Sequence, residues 1–68
     1  MSEHKPILTL RTPEGVTVQI GEYEYFYAVD AAQSGQIARW FDHAPWKAMH
    51  ALRHAARWEE RRKIEVKS

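Results

Sequence analysis

Val16-Thr17-Val18-Gln19-Ile20-Gly21-Glu22-Tyr23-Glu24-Tyr25-Phe26-Tyr27 decides the fold, because residues of strand type alternate on both sides of a Gly-Glu pair. A period of two marks a strand with one buried face. Gly21-Glu22 suits a two-residue type II′ turn, which needs Gly at its first central position. That turn sets Ile20 opposite Tyr23, Val18 opposite Tyr25 and Val16 opposite Tyr27. Upstream, Pro13-Glu14-Gly15 reads as a three-residue loop, with Pro presetting a type I turn and Gly supplying the left-handed position of a bulge. Thr12 is then expected against Val16, Leu10 against Val18 and Leu8 against Ile20. Both registers gather Leu8, Leu10, Val16, Val18, Ile20, Tyr23, Tyr25 and Tyr27 on one buried face. Thr9, Arg11, Thr17, Gln19, Glu24 and Phe26 fall on the other, where Phe26 stands out as an apolar residue among polar ones.

Downstream the period changes from two to that of a helix. Asp30 followed by Gln33 has the spacing of a capping box, and Ser34, Ile37, Ala38, Phe41 and Ala44 then recur on one side. Pro45 is tolerated only in a first turn, which predicts one helix over residues 30–42 and a second over residues 45–63. At about 100° per residue the second helix collects Ala48, Met49, Ala51, Leu52, Ala55, Ala56 and Trp58 on its apolar face. Lys47, His50, Arg53, His54, Arg57 and Arg61 lie opposite. The expected fold is α+β: a three-stranded antiparallel meander of order 1-2-3 over residues 7–29, packed on two C-terminal helices as two layers. Residues 1–6 and 64–68 are expected to be flexible and frayed ends of a single domain.

A chain of 68 residues has room for one small core, and its three Trp, three Tyr and two Phe are the bulky residues from which to build it. The absence of cysteine removes disulfides and thiolate metal sites, which favours the cytoplasm. No apolar run approaches the roughly 18 residues of a membrane span. The start Met1-Ser2-Glu3-His4-Lys5-Pro6 lacks a signal-peptide pattern and fits a complete chain. Net charge is +1, but it is unevenly placed. Residues 1–34 carry Lys5 and Arg11 against Glu3, Glu14, Glu22, Glu24 and Asp30, a net −3. Residues 35–68 carry Arg39, Lys47, Arg53, Arg57, Arg61, Arg62, Lys63 and Lys67 against Asp42, Glu59, Glu60 and Glu65, a net +4. An acidic half and a basic half favour a partner surface of opposite charge, or a homodimer.

Catalytic chemistry finds little support. Ser2 and Ser68 are terminal, Ser34 has no glycine elbow, no phosphate-binding glycine loop is present, and the carboxylates are scattered. His50 and His54 have the i, i+4 spacing of two metal ligands, with His43 or Asp42 as a third. They lack the Glu of the metalloprotease helix and read more simply as part of a solvated basic face, so no metal and no cofactor are expected.

The strongest signal for binding is the basic stripe Lys47, Arg53, Arg57 and Arg61, with Arg39, Trp46 and His50 at its margin. Lys and Arg also serve merely to solvate a helix, but Trp40 and Trp46 flank the Pro45 turn beside Arg39, His43 and Lys47, a composition typical of protein-binding hot spots. The brevity, the lack of cysteine and the lack of catalytic residues resemble small accessory proteins of phages and plasmids, including inhibitors of host defence. The likeness is one of style and carries no residue correspondence. The expected role is a non-catalytic interaction module, an inhibitor or adaptor, docking on an acidic surface of a protein partner. The alternative is nucleic-acid binding through the same stripe.

Overall fold

The computed structural model describes residues 4–65. Four strands, β1 (Ile7–Thr12), β2 (Gly15–Ile20), β3 (Tyr23–Tyr27) and β4 (Glu59–Lys63), form one antiparallel sheet in the order β1-β2-β3-β4. Two helices, α1 (Ala31–Trp40) and α2 (Pro45–Ala55), lie between β3 and β4 in the chain and cover one face of the sheet. The α+β class is the one expected, but the meander has a fourth strand. None of the described helices is long and apolar enough to cross a membrane.

The second hairpin has the predicted register, with Ile20, Val18 and Val16 paired to Tyr23, Tyr25 and Tyr27. Among the described residues Gly21 alone has a left-handed backbone, at φ 61°, as the first central residue of a type II′ turn requires. The first hairpin differs. Thr12 pairs with Gly15, not Val16, so the loop is the two residues Pro13 and Glu14. The Thr12 hydroxyl closes it by accepting from the Glu14 and Gly15 N–H groups, both at 3.2 Å, and donating to the Gly15 carbonyl at 3.1 Å. Gly15 therefore serves close packing, not a left-handed turn.

This register alone would turn every β1 side chain to the wrong face, because one residue of slip exchanges the two faces. A bulge between Leu8 and Leu10 repairs half of the strand. Leu8 pairs with Val18 and packs on the core, whereas Leu10 pairs with Thr17 and is 57% exposed on the opposite face. The expectation that Leu10 is buried is thus corrected.

The core consists of Val16, Val18, Tyr27, Val29, Ile37, Ala48, Met49 and Leu52. In α1 the buried residues are Ser34 and Ile37; the Ser34 hydroxyl donates to the Ala31 carbonyl at 2.9 Å, so it enters the interior satisfied. Asp30 makes no side-chain cap, contrary to the capping box expected with Gln33. Pro45 opens α2 as predicted, and Ala48, Met49 and Leu52 form its buried stripe.

The second helix does not run to residue 63: it ends at Ala55. Beyond that point its apolar stripe runs out, while β3 has a free hydrogen-bonding edge that the chain can cover. Arg57 N–H donates to the Ala28 carbonyl at 2.9 Å and Ala28 N–H to the Trp58 carbonyl at 3.1 Å, and Glu59–Lys63 then zips along β3. The Arg62 guanidinium lies 3.9 Å from Glu24, its cross-strand partner. Backbone pairing thus outweighs the helix propensity of this polar segment. Ile64 N–H donates to the Glu22 carbonyl at 2.8 Å, and Pro6 is buried, so neither residue belongs to a loose end. Residues 1–3 and 66–68 of the expected flexible ends lie outside the described residues.

Two glycine substitutions test this account by urea denaturation. A Cβ on Gly15 would meet the Tyr27 carbonyl oxygen and lie 2.8 Å from Phe26 Cζ, whereas one on Gly21 would suffer chiefly the left-handed backbone. Gly15→Ala should cost ~3 kcal/mol through forced backbone movement and Gly21→Ala only ~1 kcal/mol. The opposite ranking would contradict the roles assigned to the two turns.

Candidate functional site

All three tryptophans stand outside the core, Trp40 at 36%, Trp46 at 51% and Trp58 at 52% exposure. For Trp58 this corrects the sequence reading, which placed it on the apolar face of a longer second helix. It belongs to the segment entering β4, where its ring sits 5.2 Å from Phe26. Phe26 is on the predicted face, away from the helices, and Trp58 half covers it.

The basic stripe expected on one helix is dispersed by the early end of α2. Lys47 and Arg53 remain on α2, but Arg57 lies in the connection after it, with Nη2 at 3.5 Å from the Asp30 carboxylate. Arg61 is on β4, its guanidinium 5.2 Å from the Tyr23 ring centre. Tyr23, expected in the core, is 37% exposed at the end of β3 and is covered by that cation instead of by a helix. Arg39 lies in the last turn of α1, and Trp46 and His50 are exposed on α2.

What the fold does bring together is the corner between the helices. The turn is tight: Ala44 and His43 N–H groups both donate to the Trp40 carbonyl, at 2.6 and 3.2 Å. Lys47 Nζ lies 5.5 Å from the centre of the Trp40 ring. Trp46 follows Pro45 in the first turn of α2, and at about 100° per residue it shares a flank with His50 and Arg53. Arg39, Trp40, His43, Trp46, Lys47 and His50 are all exposed around this corner, and Asp42 is its one acidic residue. The His50 and His54 rings meet edge-on at 4.6 Å. Among the described residues no group of three or more His, Cys, Asp or Glu side chains is placed to hold a metal ion.

A second feature escaped sequence reasoning. Tyr27 is fully buried, and its hydroxyl lies beside the Arg53 guanidinium and the Glu59 carboxylate without a close hydrogen bond to either. Beside it is a recess of about 260 Å³ lined by Tyr27, Arg53, Ala56, Trp58 and Glu59. Glu59 stands directly across from Tyr27 in the β3–β4 ladder, and Arg53 reaches in from the last turns of α2. Burial pushes the hydroxyl pKa up to about 12, the Glu59 carboxylate adding to the rise and the Arg53 guanidinium opposing it. The sequence placed Tyr27 in the core correctly, but only the unforeseen β4 brings Glu59 to it.

Compared with protein families, curated proteins and solved structures, the chain matches none.

A buried hydroxyl without a close hydrogen bond costs free energy, so Tyr27→Phe should stabilise the free protein by ~1 kcal/mol at neutral pH in chemical denaturation. The folded state holds the proton up to about 12 while the unfolded chain releases it near 10.0. Folding is therefore unaffected by this proton below pH 10 and becomes less favourable as pH rises toward 12, and the margin of the variant should widen over that window by ~1 kcal/mol per pH unit. A variant less stable than the parent at pH 7 would mean that the hydroxyl is bonded in solution.

Proposed function

We propose that this protein is a non-catalytic interaction module of the cytoplasm, an inhibitor or adaptor, that docks on an acidic surface of a protein partner through the helix corner. The observation that carries the reading is the position of the tryptophans. In a chain so short of core, burying Trp40 and Trp46 would stabilise the fold, yet both are spent on the surface. Exposed tryptophans beside cations are the side chains that dominate protein interfaces. The Lys47 and Trp40 pairing holds one cation and one ring in place before any partner arrives, which lowers the ordering cost of binding.

The dispersal of the basic stripe weighs against nucleic acid as the partner. Phosphate binding rewards a row of free cations, whereas Arg57 faces Asp30 and Arg62 faces Glu24 and Glu60. Self-association through the sheet edges is disfavoured as well. β1 is bulged, and β4 is the charged run Glu59-Glu60-Arg61-Arg62-Lys63, two devices that block strand addition. We therefore assign the corner to a different protein with a carboxylate-rich surface, contacted by Trp46 as anchor with Lys47, His50 and Arg39 around it, and by Arg53 on the same flank. Arg57 and Arg61 move to the periphery.

The test is affinity capture from the native host with and without nuclease, followed by titration of the captured partner. Trp46→Ala should weaken binding by ~2 kcal/mol, about 30-fold, and Lys47→Glu by about tenfold, while Arg57→Ala stays within about twofold. Capture that vanishes with nuclease, with each cation contributing a similar step and a steep salt dependence, would replace the protein partner by nucleic acid.

A further inference from the structure

The helices cover one face of the sheet and leave the other bare. The most exposed large aliphatic side chains among the described residues, Ile7 at 58% and Leu10 at 57%, both stand on that bare face. Strand pairing arranges it as two rows that cross all four strands. One row is Leu10, Thr17, Phe26 and Glu60, and its neighbour is Ile7, Gln19, Glu24 and Arg62. Each runs from an aliphatic residue on β1, through a polar one on β2, to a charged one on β4. The charges at the two ends are opposite.

We infer that the bare face packs on the same face of a second copy of this chain, about a twofold axis that crosses the strands between the two rows. That operation exchanges the rows. Leu10 then faces the partner's Ile7, Thr17 the partner's Gln19, Phe26 the aliphatic stem of the partner's Glu24, and Glu60 the partner's Arg62. Each contact occurs twice, as twofold symmetry demands. A twofold axis along the strands would instead lay β1 on β4 and press aliphatic residues against charges. A face shaped for a different protein has no need to match itself in this way. The match also extends to shape, since a groove of about 300 Å³ lies over Thr17 between Leu10 and Phe26, where the partner's Gln19 would enter. Four strands about 4.8 Å apart and five residues deep at ~3.3 Å give a face of roughly 19 by 17 Å. Packing two such faces buries on the order of 1,000 Å², the low end for a specific interface, so the dimer is a weak one with a dissociation constant on the order of 100 µM. The helix corner lies on the other side of the sheet and stays free in this dimer.

Sedimentation equilibrium of the full chain from about 5 µM to about 1 mM tests the assignment, and the mass should rise from 8.0 kDa toward twice that value and no further. Over the same range the amide resonances that shift should be those of Thr17, Gln19 and Phe26, a readout that needs no substitution. Leu10 is exposed in the monomer, so Leu10→Arg keeps the fold, and it should weaken the dimer at least about tenfold. The axis has its own test. Glu60→Arg sets two cations against each other at each end of the dimer and Arg62→Glu sets two carboxylates, so each variant alone should stay monomeric. An equimolar mixture of the two should dimerise, because every such contact is again between opposite charges. A single 8.0 kDa species at the highest concentration would overturn the inference. So would a dimer that Leu10→Arg leaves intact, shifts that fall on the helices instead of the sheet, or a mixture no more associated than its components. Trp46→Ala should leave the dimer unchanged, which separates failure here from failure at the corner.

Discussion

Strand β3 is hydrogen-bonded along both of its edges, to β2 through the Gly21-Glu22 turn and to β4 along the whole of Glu59–Lys63. The second of these pairings is the constraint that shapes the molecule. Because β4 must return antiparallel beside β3, both helices have to fit in one excursion that leaves the sheet after Val29 and comes back at Arg57. The excursion is folded over on itself at the Trp40 to Pro45 corner and lies on the face that carries Val16, Val18 and Tyr27.

The interior is built from small and branched residues, with Tyr27 as its single aromatic ring. Ala48, Ala51 and Ala55 let α2 approach its neighbours closely, and the Val residues of β2 fill the space beneath. Such a core buries little area per residue, and a domain of this size has a narrow stability margin in any case. Leaving large aromatic rings at the surface narrows it further.

Much of this could be read in the sequence. The II′ turn, the register of β2 on β3, the break at Pro45 and the buried stripes Ser34, Ile37 and Ala48, Met49, Leu52 all follow from local rules that the tertiary structure does not override. The aromatic corner was legible too, since Trp40 and Trp46 lie at the edges of their helices' apolar arcs. Three things were hidden. Thr12 replaces a backbone turn by its own hydroxyl, which shortens the first loop and flips Leu10 outward. Gly15 is small because another part of the chain occupies its Cβ position, a fact about Tyr27 and Phe26 and not about Gly15. And Glu59-Glu60-Arg61-Arg62-Lys63 has no apolar alternation, so nothing local marks it as a strand; only the open edge of β3 recruits it.

Every residue of β4 is exposed, so that strand is held by its backbone ladder, by the ion pair of Arg62 with Glu24 and by Arg61 on Tyr23, with no side chain anchored in the core. A segment attached in this way can detach as a unit without the rest of the molecule unfolding. Amide protons of β3 that point toward β4 would then exchange with solvent through a smaller opening than those pointing toward β2. Detachment would also carry Glu59 away from Tyr27, so the recess exists only while the strand is docked.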